Sequence, residues 1–323
     1  MFRKIYYTLH SGKNIKFIYY LKCYLRMLVP RAFCRWRLPR LLKQMESRED
    51  YDYIQKRVDY YCKLSTARPL PETAETLRQA WKRVWGGSVY QHDTYEFTRF
   101  FNPDYRWGFK SGDVVVVPEI PSIVKSRPLC EDNTNSVLLK LVKIRHFIFV
   151  KDEKEFREKQ FKVIFRGKIA WKQSRKDFMK KYFGNPLFDV GDVGRKTDSP
   201  MEWRTGKMTL SEHLNYQFIM AIEGNDVASN LKWVMSSNSL AVMPKPTCET
   251  WFMEGTLIPN YHYVEVKPDF SDVEERVTYY HNHPEAAEEI LHHAHEYVEQ
   301  FKNEEREKLI SLAVLDKYFR LTQ

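Results

Sequence analysis

The sequence of 323 residues lacks a long apolar run. Its most hydrophobic N-terminal stretch, residues 15–29, is interrupted by Lys22 and Arg26. It therefore falls short of the roughly 20 apolar residues that a membrane-spanning helix needs. The same two charges, and the lack of a small-residue cleavage site after them, argue against a secretory signal. The sequence predicts neither a transmembrane helix nor a secreted protein.

Cysteine is scarce, and two common nucleotide motifs are missing. The five cysteines are odd in number and form no C-x-x-C pair, which argues against a disulfide framework or a zinc cluster and fits a reducing cytoplasm. The chain also has no P-loop and no G-x-G-x-x-G fingerprint. One possible function is that of an α/β enzyme that acts on another phosphorylated ligand, such as a phosphotransferase or a dehydrogenase. The missing motifs argue against this function.

Acidic residues are absent from the first 45 positions, which hold eleven lysines and arginines, while the whole chain carries a net charge of +10. Basic residues interleaved with aromatic and aliphatic ones predict that residues 1–45 lie as an amphipathic segment on an anionic membrane surface. A solvated basic arm that packs some aromatics on the body is an equal alternative. A third interpretation is that the chain is a non-catalytic protein that binds a membrane or a nucleic acid. No nucleic-acid-binding signature accompanies the charge, so we expect no nucleic-acid partner.

Residues 218–243 have the pattern strand, glycine turn, helix, strand. Residues 218–222 form an apolar run, residues 223–226 suit a tight turn and a helix cap, and residues 240–243 resume a strand. A helix that opens after a strand directs free N–H groups at the sheet edge, where phosphate often binds. Gly224 alone is less than a full fingerprint, so an ordinary α/β connection remains open.

Other segments alternate in the same way. Strands are predicted at 113–117, 146–150, 162–165 and 262–266, and helices at 51–64, 72–85, 177–182, 273–280 and 284–317. This alternation predicts a doubly wound α/β architecture, and the length and 43% hydrophobic content predict two domains.

Three blocks in this order resemble glycosyltransferase family 90. They are residues 162–167 (KVIFRG), residues 222–243, and residues 251–266 (WFMEGTLIPNYHYVEV) followed by Asp269, Asp272 and an alanine-rich helix. Residues 117–128 (VPEIPSIVKSRP) and 135–139 (NSVLL) resemble the bacterial lipopolysaccharide-modifying branch in particular. The family also includes protein O-glucosyltransferases and fungal capsule-associated transferases.

The resemblance implies a GT-B fold, in which two Rossmann-like domains face a cleft. We expect an acceptor-side domain at 46–155, a nucleotide-sugar domain at 156–303, and a last helix, 304–323, that packs back on the first domain. It also implies an inverting, metal-independent transfer of a hexose or pentose, with no cofactor. The expected donor is a nucleotide sugar of the UDP type, and the expected acceptor is a lipopolysaccharide or other surface glycan. The enzyme would then be cytoplasmic and peripheral on the inner membrane.

The resemblance also suggests site residues. Arg166 with Gly167 would bind phosphate at a strand end, although a salt bridge is the plainer role, and Arg175 lies where the family has a basic residue. Candidates for the rest of the donor site are Glu223, Gly224, Asn225, Asp226, Ser229, Asn230 and Lys232. Eukaryotic members carry a serine and an arginine where an ungapped match places Ala228 and Asn230, so Lys232 would have to replace the cation or the donor is held differently.

The catalytic base is the least defined element. Animal members carry an aspartate just before a P-x-x-P motif, where this chain has Val116. The nearest carboxylates are Asp113 and Glu119, which would deprotonate the acceptor hydroxyl. Asp113 lies at the start of a predicted strand, where it could instead only cap that strand. Glu119 is expected at the carboxyl end of the same strand, where the active sites of α/β enzymes are commonly found.

Overall fold

The computed structural model describes residues 11–195 and 198–323. The first ten residues of the basic segment and residues 196–197 lie outside the described residues. The described chain divides into two compact units. The helical unit comprises Asn14–Ile144, Thr247–Glu254 and Phe301–Gln323, and the large-sheet unit comprises residues 11–13, Arg145–Pro246 and Gly255–Gln300.

The helices and strands up to residue 144 belong to the helical unit. They are α1 (Lys16–Met27), α2 (Arg31–Glu46), α3 (Tyr51–Tyr61), α4 (Leu77–Trp81), α5 (Val89–Thr98), β1 (Phe109–Lys110), β2 (Ser122–Val124), β3 (Ser126–Pro128) and β4 (Ser136–Leu138). Strands β1, β2 and β4 form a small parallel sheet in the order β1-β2-β4.

The remaining elements follow along the chain. They are β5 (Gln160–Gly167), α6 (Gln173–Tyr182), β6 (Phe188–Asp192), α7 (Leu210–His213), β7 (Tyr216–Met220), α8 (Leu231–Val234), β8 (Leu240–Met243), β9 (Cys248–Thr250), β10 (Val264–Glu265), α9 (Val273–Asn282), α10 (Pro284–Glu299) and α11 (Glu304–Thr322). Strand β9 pairs with β3 in an antiparallel ladder, and α11 packs against α3, both within the helical unit. The described residues contain no helix long and apolar enough to span a bilayer.

The large-sheet unit is built on five parallel strands in the order β6-β5-β7-β8-β10. Alternating apolar side chains of these strands and of the flanking helices form its core, among them Val163, Phe165, Phe178, Phe218, Met220, Val242, Val264, Val277 and Ile290. Parallel strands with helical connections are typical of α/β folds, so the predicted α/β class is confirmed.

Several predicted elements are confirmed, some with shifted ends. Residues 162–165 lie within β5, residues 240–243 are β8, and the helices predicted at 177–182 and 273–280 lie within α6 and α9. The helix predicted at 72–85 is wrong at both ends: Thr76 and Gln79 form a capping box that starts α4 at Leu77, and the helix ends at Trp81. The single helix predicted at 284–317 is two helices, and Asn303 caps the second by accepting a hydrogen bond from the Arg306 N–H at 3.0 Å.

Two predicted strands are wrong. Residues 113–117 form no strand, because Val116 is 74% exposed and the Val114 backbone is bound by the Ser126 hydroxyl, which accepts from its N–H at 3.0 Å and donates to its carbonyl at 3.1 Å. Residues 146–150 form no strand either. Phe147 has φ of 57°, in the left-handed region, which interrupts extended backbone.

Candidate active site

The strand order of the large sheet reverses between β5 and β7. Strand β6 follows β5 on one side of the sheet, whereas β7, β8 and β10 follow on the other. Where the order reverses in an open parallel sheet, the loops after the two central strands separate and leave a crevice outside their carboxyl ends. These loops are residues 168–172 after β5 and residues 221–230 after β7, and we call them the switch-point loops.

Arg175 on α6 joins the two switch-point loops. Its Nη1 donates to the Lys168 carbonyl at 2.9 Å, its Nη2 to the Ile222 carbonyl at 2.7 Å and its Nε to the Glu223 carbonyl at 3.0 Å. Burial lowers the pKa of this guanidinium to about 10. A Cβ on Gly224 would lie 3.2 Å from Nη2, so the loop approaches the guanidinium closely. Arg175 thus donates from all three nitrogens to loop carbonyls and links the two loops at the switch point.

The structure places Arg166 in an ion pair within the sheet rather than at an open edge. Its Nη2 contacts Asp189 Oδ1, its Nη1 donates to the Asp189 carbonyl at 2.7 Å, and its side chain is 9% exposed. The Tyr216 hydroxyl donates to the other carboxylate oxygen of Asp189 at 3.1 Å. Of the two roles predicted for Arg166, the structure therefore shows the salt bridge. Gly167 at the strand end has no room for a side chain, because a Cβ would lie 2.6 Å from the Phe165 ring.

The remaining donor-site candidates share the second switch-point loop. The Gly224 N–H donates to the Asp226 carbonyl at 2.9 Å, and the Asn230 Nδ2 donates to the Met220 carbonyl at 2.9 Å, at the end of β7. Glu223 is half-buried and Asp226 is buried, whereas Asn225 and Ser229 are exposed.

The helix expected after this turn differs from the prediction. It begins at Leu231, ends at Val234 and leaves Ser229 and Asn230 before it, so only Lys232 of the predicted first-turn residues is helical, and that side chain is buried. A four-residue helix sums few peptide dipoles, so the argument for phosphate from a helix N-terminus does not apply to this loop. The loop bends instead through turns in residues 224–230.

Sequence analysis missed two groups at this edge of the sheet. Asp192 ends β6 and is buried; its Oδ1 accepts from the N–H groups of Ile169 at 3.2 Å and Gly194 at 2.8 Å, and its Oδ2 accepts from the Ser199 hydroxyl at 2.7 Å. Trp171 is 64% exposed in the first switch-point loop, with the Lys168 ammonium 5.2 Å from its ring centroid. The sequence analysis predicted no strand at residues 188–192, so it gave no strand-end signal for Asp192. A tryptophan in a polar loop was the signal for Trp171.

The two candidate bases belong to the helical unit. Asp113 Oδ1 lies 2.5 Å from the Lys125 ammonium, and its side chain is 31% exposed. Glu119 is exposed and follows irregular backbone, so its expected place at the end of a strand is wrong. The Asn135 amide donates to the Glu119 carbonyl at 2.9 Å and holds this segment against β4.

Four large polar and aromatic side chains, Arg127, Glu249, Trp251 and Glu254, are part of the core of the helical unit. Arg127 is fully buried, and its Nε donates to Glu249 Oε1 at 2.7 Å. Trp251 is buried and stacks on Tyr61 with ring centroids 3.9 Å apart, and Glu254 accepts from the Thr250 N–H at 2.6 Å. These contacts assign the four side chains to packing.

The histidines have separate contacts. His262 Nδ1 accepts from the Ile258 N–H at 2.9 Å, His281 lies 2.9 Å from Gln217 Oε1, and His295 lies 2.9 Å from the Ser237 carbonyl. In the part of the chain that the structure describes, no three His, Cys, Asp or Glu side chains are grouped as metal ligands.

Comparison with known proteins assigns the chain to a family. The model of glycosyl transferase family 90 matches residues 137–323, more than half of the chain. The chain therefore belongs to glycosyltransferase family 90 and is a glycosyltransferase. It is similar to the O-glucosyltransferase LpsA of Dichelobacter nodosus, with 40% identity over 270 residues that make up 84% of each chain. The switch-point loops lie inside the family match, whereas Asp113 and Glu119 precede it.

Proposed function

We propose that this enzyme transfers a sugar from a UDP-sugar donor, with glucose as the first candidate, to a hydroxyl of a lipopolysaccharide or other surface glycan. The observation that carries the proposal is the reversal of strand order between β5 and β7, where Arg175 links the two switch-point loops, in a chain that belongs to a glycosyltransferase family. The relative named as an O-glucosyltransferase supports glucose and a hydroxyl acceptor. The resemblance to the bacterial branch supports the glycan acceptor.

The donor would occupy the crevice between the switch-point loops. Trp171 offers an exposed ring for stacking on a base or a sugar, and Lys168 beside it offers a cation for the diphosphate. Backbone N–H groups of the 221–230 loop would supply further donors. Positive charge and N–H donors stabilise a departing diphosphate in the same way that they stabilise other developing anions, so the transfer would need no metal ion.

The acceptor hydroxyl needs a base, and Asp113 is the stronger candidate of the two. The Lys125 ammonium holds its carboxylate in place, whereas Glu119 is exposed. In an inverting transfer, the carboxylate takes the hydroxyl proton, the oxygen forms a bond to the anomeric carbon, and the bond to the diphosphate breaks. In a GT-B enzyme of this kind, the helical unit would bind the acceptor and the large-sheet unit would bind the donor.

Nucleotide binding tests the donor site. We expect calorimetry to detect UDP without Mg²⁺, and to detect no comparable binding of GDP, CMP, ATP or NAD. Lys168→Ala together with Trp171→Ala should weaken UDP binding about 10-fold, because one ion pair and one stacking contact are lost. The control is Lys180→Ala, which removes an exposed lysine from α6. Equal UDP affinity in all variants would place the donor elsewhere, and binding of no nucleotide would contradict the donor class.

Helix α1 supports peripheral attachment to a membrane because it leaves a row of apolar side chains exposed. Its inward side, which includes the buried Cys23, packs on α5, where the Tyr19 hydroxyl donates to Asp93 at 2.8 Å and Arg26 lies 2.6 Å from Glu96. Its apolar side faces outward; the exposed members spaced along it are Phe17, Leu21, Leu25 and Leu28. A helix in a water-soluble fold normally buries its apolar stripe. With the basic residues beside it, this stripe suits the interface of an anionic bilayer, which we propose is the cytoplasmic face of the inner membrane.

Vesicle binding tests the attachment. The triple variant Phe17→Ser, Leu21→Ser, Leu25→Ser should lose roughly 100-fold in affinity for vesicles that contain phosphatidylglycerol, because about 1 kcal/mol of apolar burial is lost at each position. Co-sedimentation measures this loss. Ile258→Ser together with Met201→Ser removes exposed apolar side chains from the large-sheet unit and serves as the control. Unchanged sedimentation of the triple variant would contradict attachment through α1.

A further inference from the structure

Two adjoining cavities of the helical unit lie between α2, α4 and the turn before α2. The first, of about 330 Å³, is lined by Arg31, Ala32, Arg35, Arg78, Trp81 and Pro103. The second, of about 420 Å³, is lined by Met27, Val29, Pro30, Arg31, Trp81 and Tyr95. Because Arg31 and Trp81 line both cavities, the two form one groove, which we call the Trp81 groove.

One half of the Trp81 groove is basic. Arg31 and Arg35 lie one turn apart on α2, and within the described residues neither forms an ion pair with a carboxylate. Arg31 lies over the Trp81 ring, 4.8 Å from its centroid. Arg78 adds a third guanidinium, whose carboxylate partner Asp104, 2.8 Å away, is exposed. Guanidinium groups bind phosphate oxygens through paired N–H donors, so this half has the charge and the donors for a phosphate.

The other half of the groove is apolar. Met27, Val29 and Pro30 line it together with the Trp81 and Tyr95 rings. Leu28 in the same turn is 76% exposed, and the outward stripe of α1 precedes it. The groove therefore continues from the surface that we propose for membrane contact. A free phosphate ion would leave the apolar half unfilled, and a purely apolar ligand would leave the arginines unpaired.

We propose that the Trp81 groove binds one anionic phospholipid, with the phosphate on Arg31 and Arg35 and the adjoining acyl region against Met27, Val29 and Tyr95. This inference rests on the proposed membrane attachment and deepens it, because it adds recognition of one lipid class to a general apolar and basic surface. A bound lipid of this kind would fix the rotation of the enzyme on the bilayer. Generic surface attraction acts on every exposed arginine alike, whereas the groove distinguishes Arg31 and Arg35 from the other arginines of α2.

Titration of the full-length enzyme with a water-soluble lipid tests the groove without a membrane. The probe is dihexanoyl phosphatidic acid below its micelle concentration, compared with dihexanoyl phosphatidylcholine and with inorganic phosphate, by calorimetry. We expect saturable one-to-one binding of phosphatidic acid, at least 10-fold tighter than that of either comparator. Arg31→Gln together with Arg35→Gln should weaken it at least 10-fold. Arg37→Gln together with Arg40→Gln, which removes the same charge from the same helix outside the groove, should change it less than 2-fold.

The outcomes separate the possible sources of binding. Equal losses in the two double variants would mean general surface attraction and overturn the proposal. If inorganic phosphate bound as tightly as phosphatidic acid, the groove would be a site for free anions, and the proposal would be overturned. The absence of any lipid binding would also overturn it. The triple variant at Phe17, Leu21 and Leu25 should still bind the dihexanoyl phosphatidic acid but should no longer bind vesicles. Failure of the membrane proposal and failure of the groove proposal are therefore distinguishable. Thermal melts within about 2 °C of wild type confirm that each variant is folded.

Discussion

Glu307→Ala should destabilise the helical unit more than any other single change considered for it, by about 3–5 kcal/mol. Glu307 on α11 is buried and forms ion pairs with two cations, with Oε1 2.7 Å from Arg57 and Oε2 3.1 Å from Lys140. The Trp251 indole N–H also donates to Oε2 at 2.6 Å. Removing the carboxylate leaves the largely buried cations of Arg57 and Lys140 without this negative partner. Urea denaturation followed by tryptophan fluorescence measures the loss.

Two further variants isolate the charge from the packing. Glu307→Gln keeps the volume and an acceptor for Trp251 but removes the negative charge, so we expect most of the loss to remain. Glu304→Ala removes an exposed glutamate from the first turn of the same helix and should cost less than about 0.5 kcal/mol. A Glu307→Ala midpoint within the range of Glu304→Ala would contradict a structural role for the buried cluster.

The sequence predicted those elements whose signal is local. Strands β5 and β8 are apolar runs with breakers on both sides, and α9 begins and ends close to its predicted bounds. The run at residues 113–117 failed because β-branched residues favour a strand only where a neighbouring strand pairs with them. There, the Ser126 hydroxyl binds the backbone instead. Membership of a parallel sheet is a non-local property, so propensity alone could not exclude this strand.

The candidate site divides in the same way. Residues 223–226 were predicted as a loop at a strand end, and the structure places them in a switch-point loop. The partners of Arg166 and Arg127 could not be predicted, because Asp189 lies 23 residues and Glu249 122 residues away along the chain. The family resemblance marked Arg175 as a candidate, but its contacts have no sequence signal. Its acceptors are backbone carbonyls, which every residue carries, so only the fold identifies them.

Arg175→Ala should lower kcat/KM for glycosyl transfer by roughly 100-fold and destabilise the large-sheet unit by about 2–4 kcal/mol. The carbonyls of Lys168, Ile222 and Glu223 would lose the donors that hold the switch-point loops in place. A catalytic crevice whose walls shift by about 1 Å positions the donor poorly, and such a displacement alone can cost about 100-fold in rate. Arg175→Lys keeps the charge, but a single ammonium does not reproduce three planar N–H directions, so we expect it to recover only part of the activity.

The comparison of binding with stability decides what Arg175 contributes. If it positions the donor loops, UDP affinity measured well below the melting temperature should fall together with kcat/KM. If it serves only the stability of the sheet, UDP affinity at that temperature should stay at the wild-type value while the melting temperature falls. The matched control is Arg157→Ala, which removes an exposed arginine of the same unit that pairs with Glu285 and Glu288. Exposed ion pairs contribute at most about 1 kcal/mol, so this variant should retain both UDP binding and transfer.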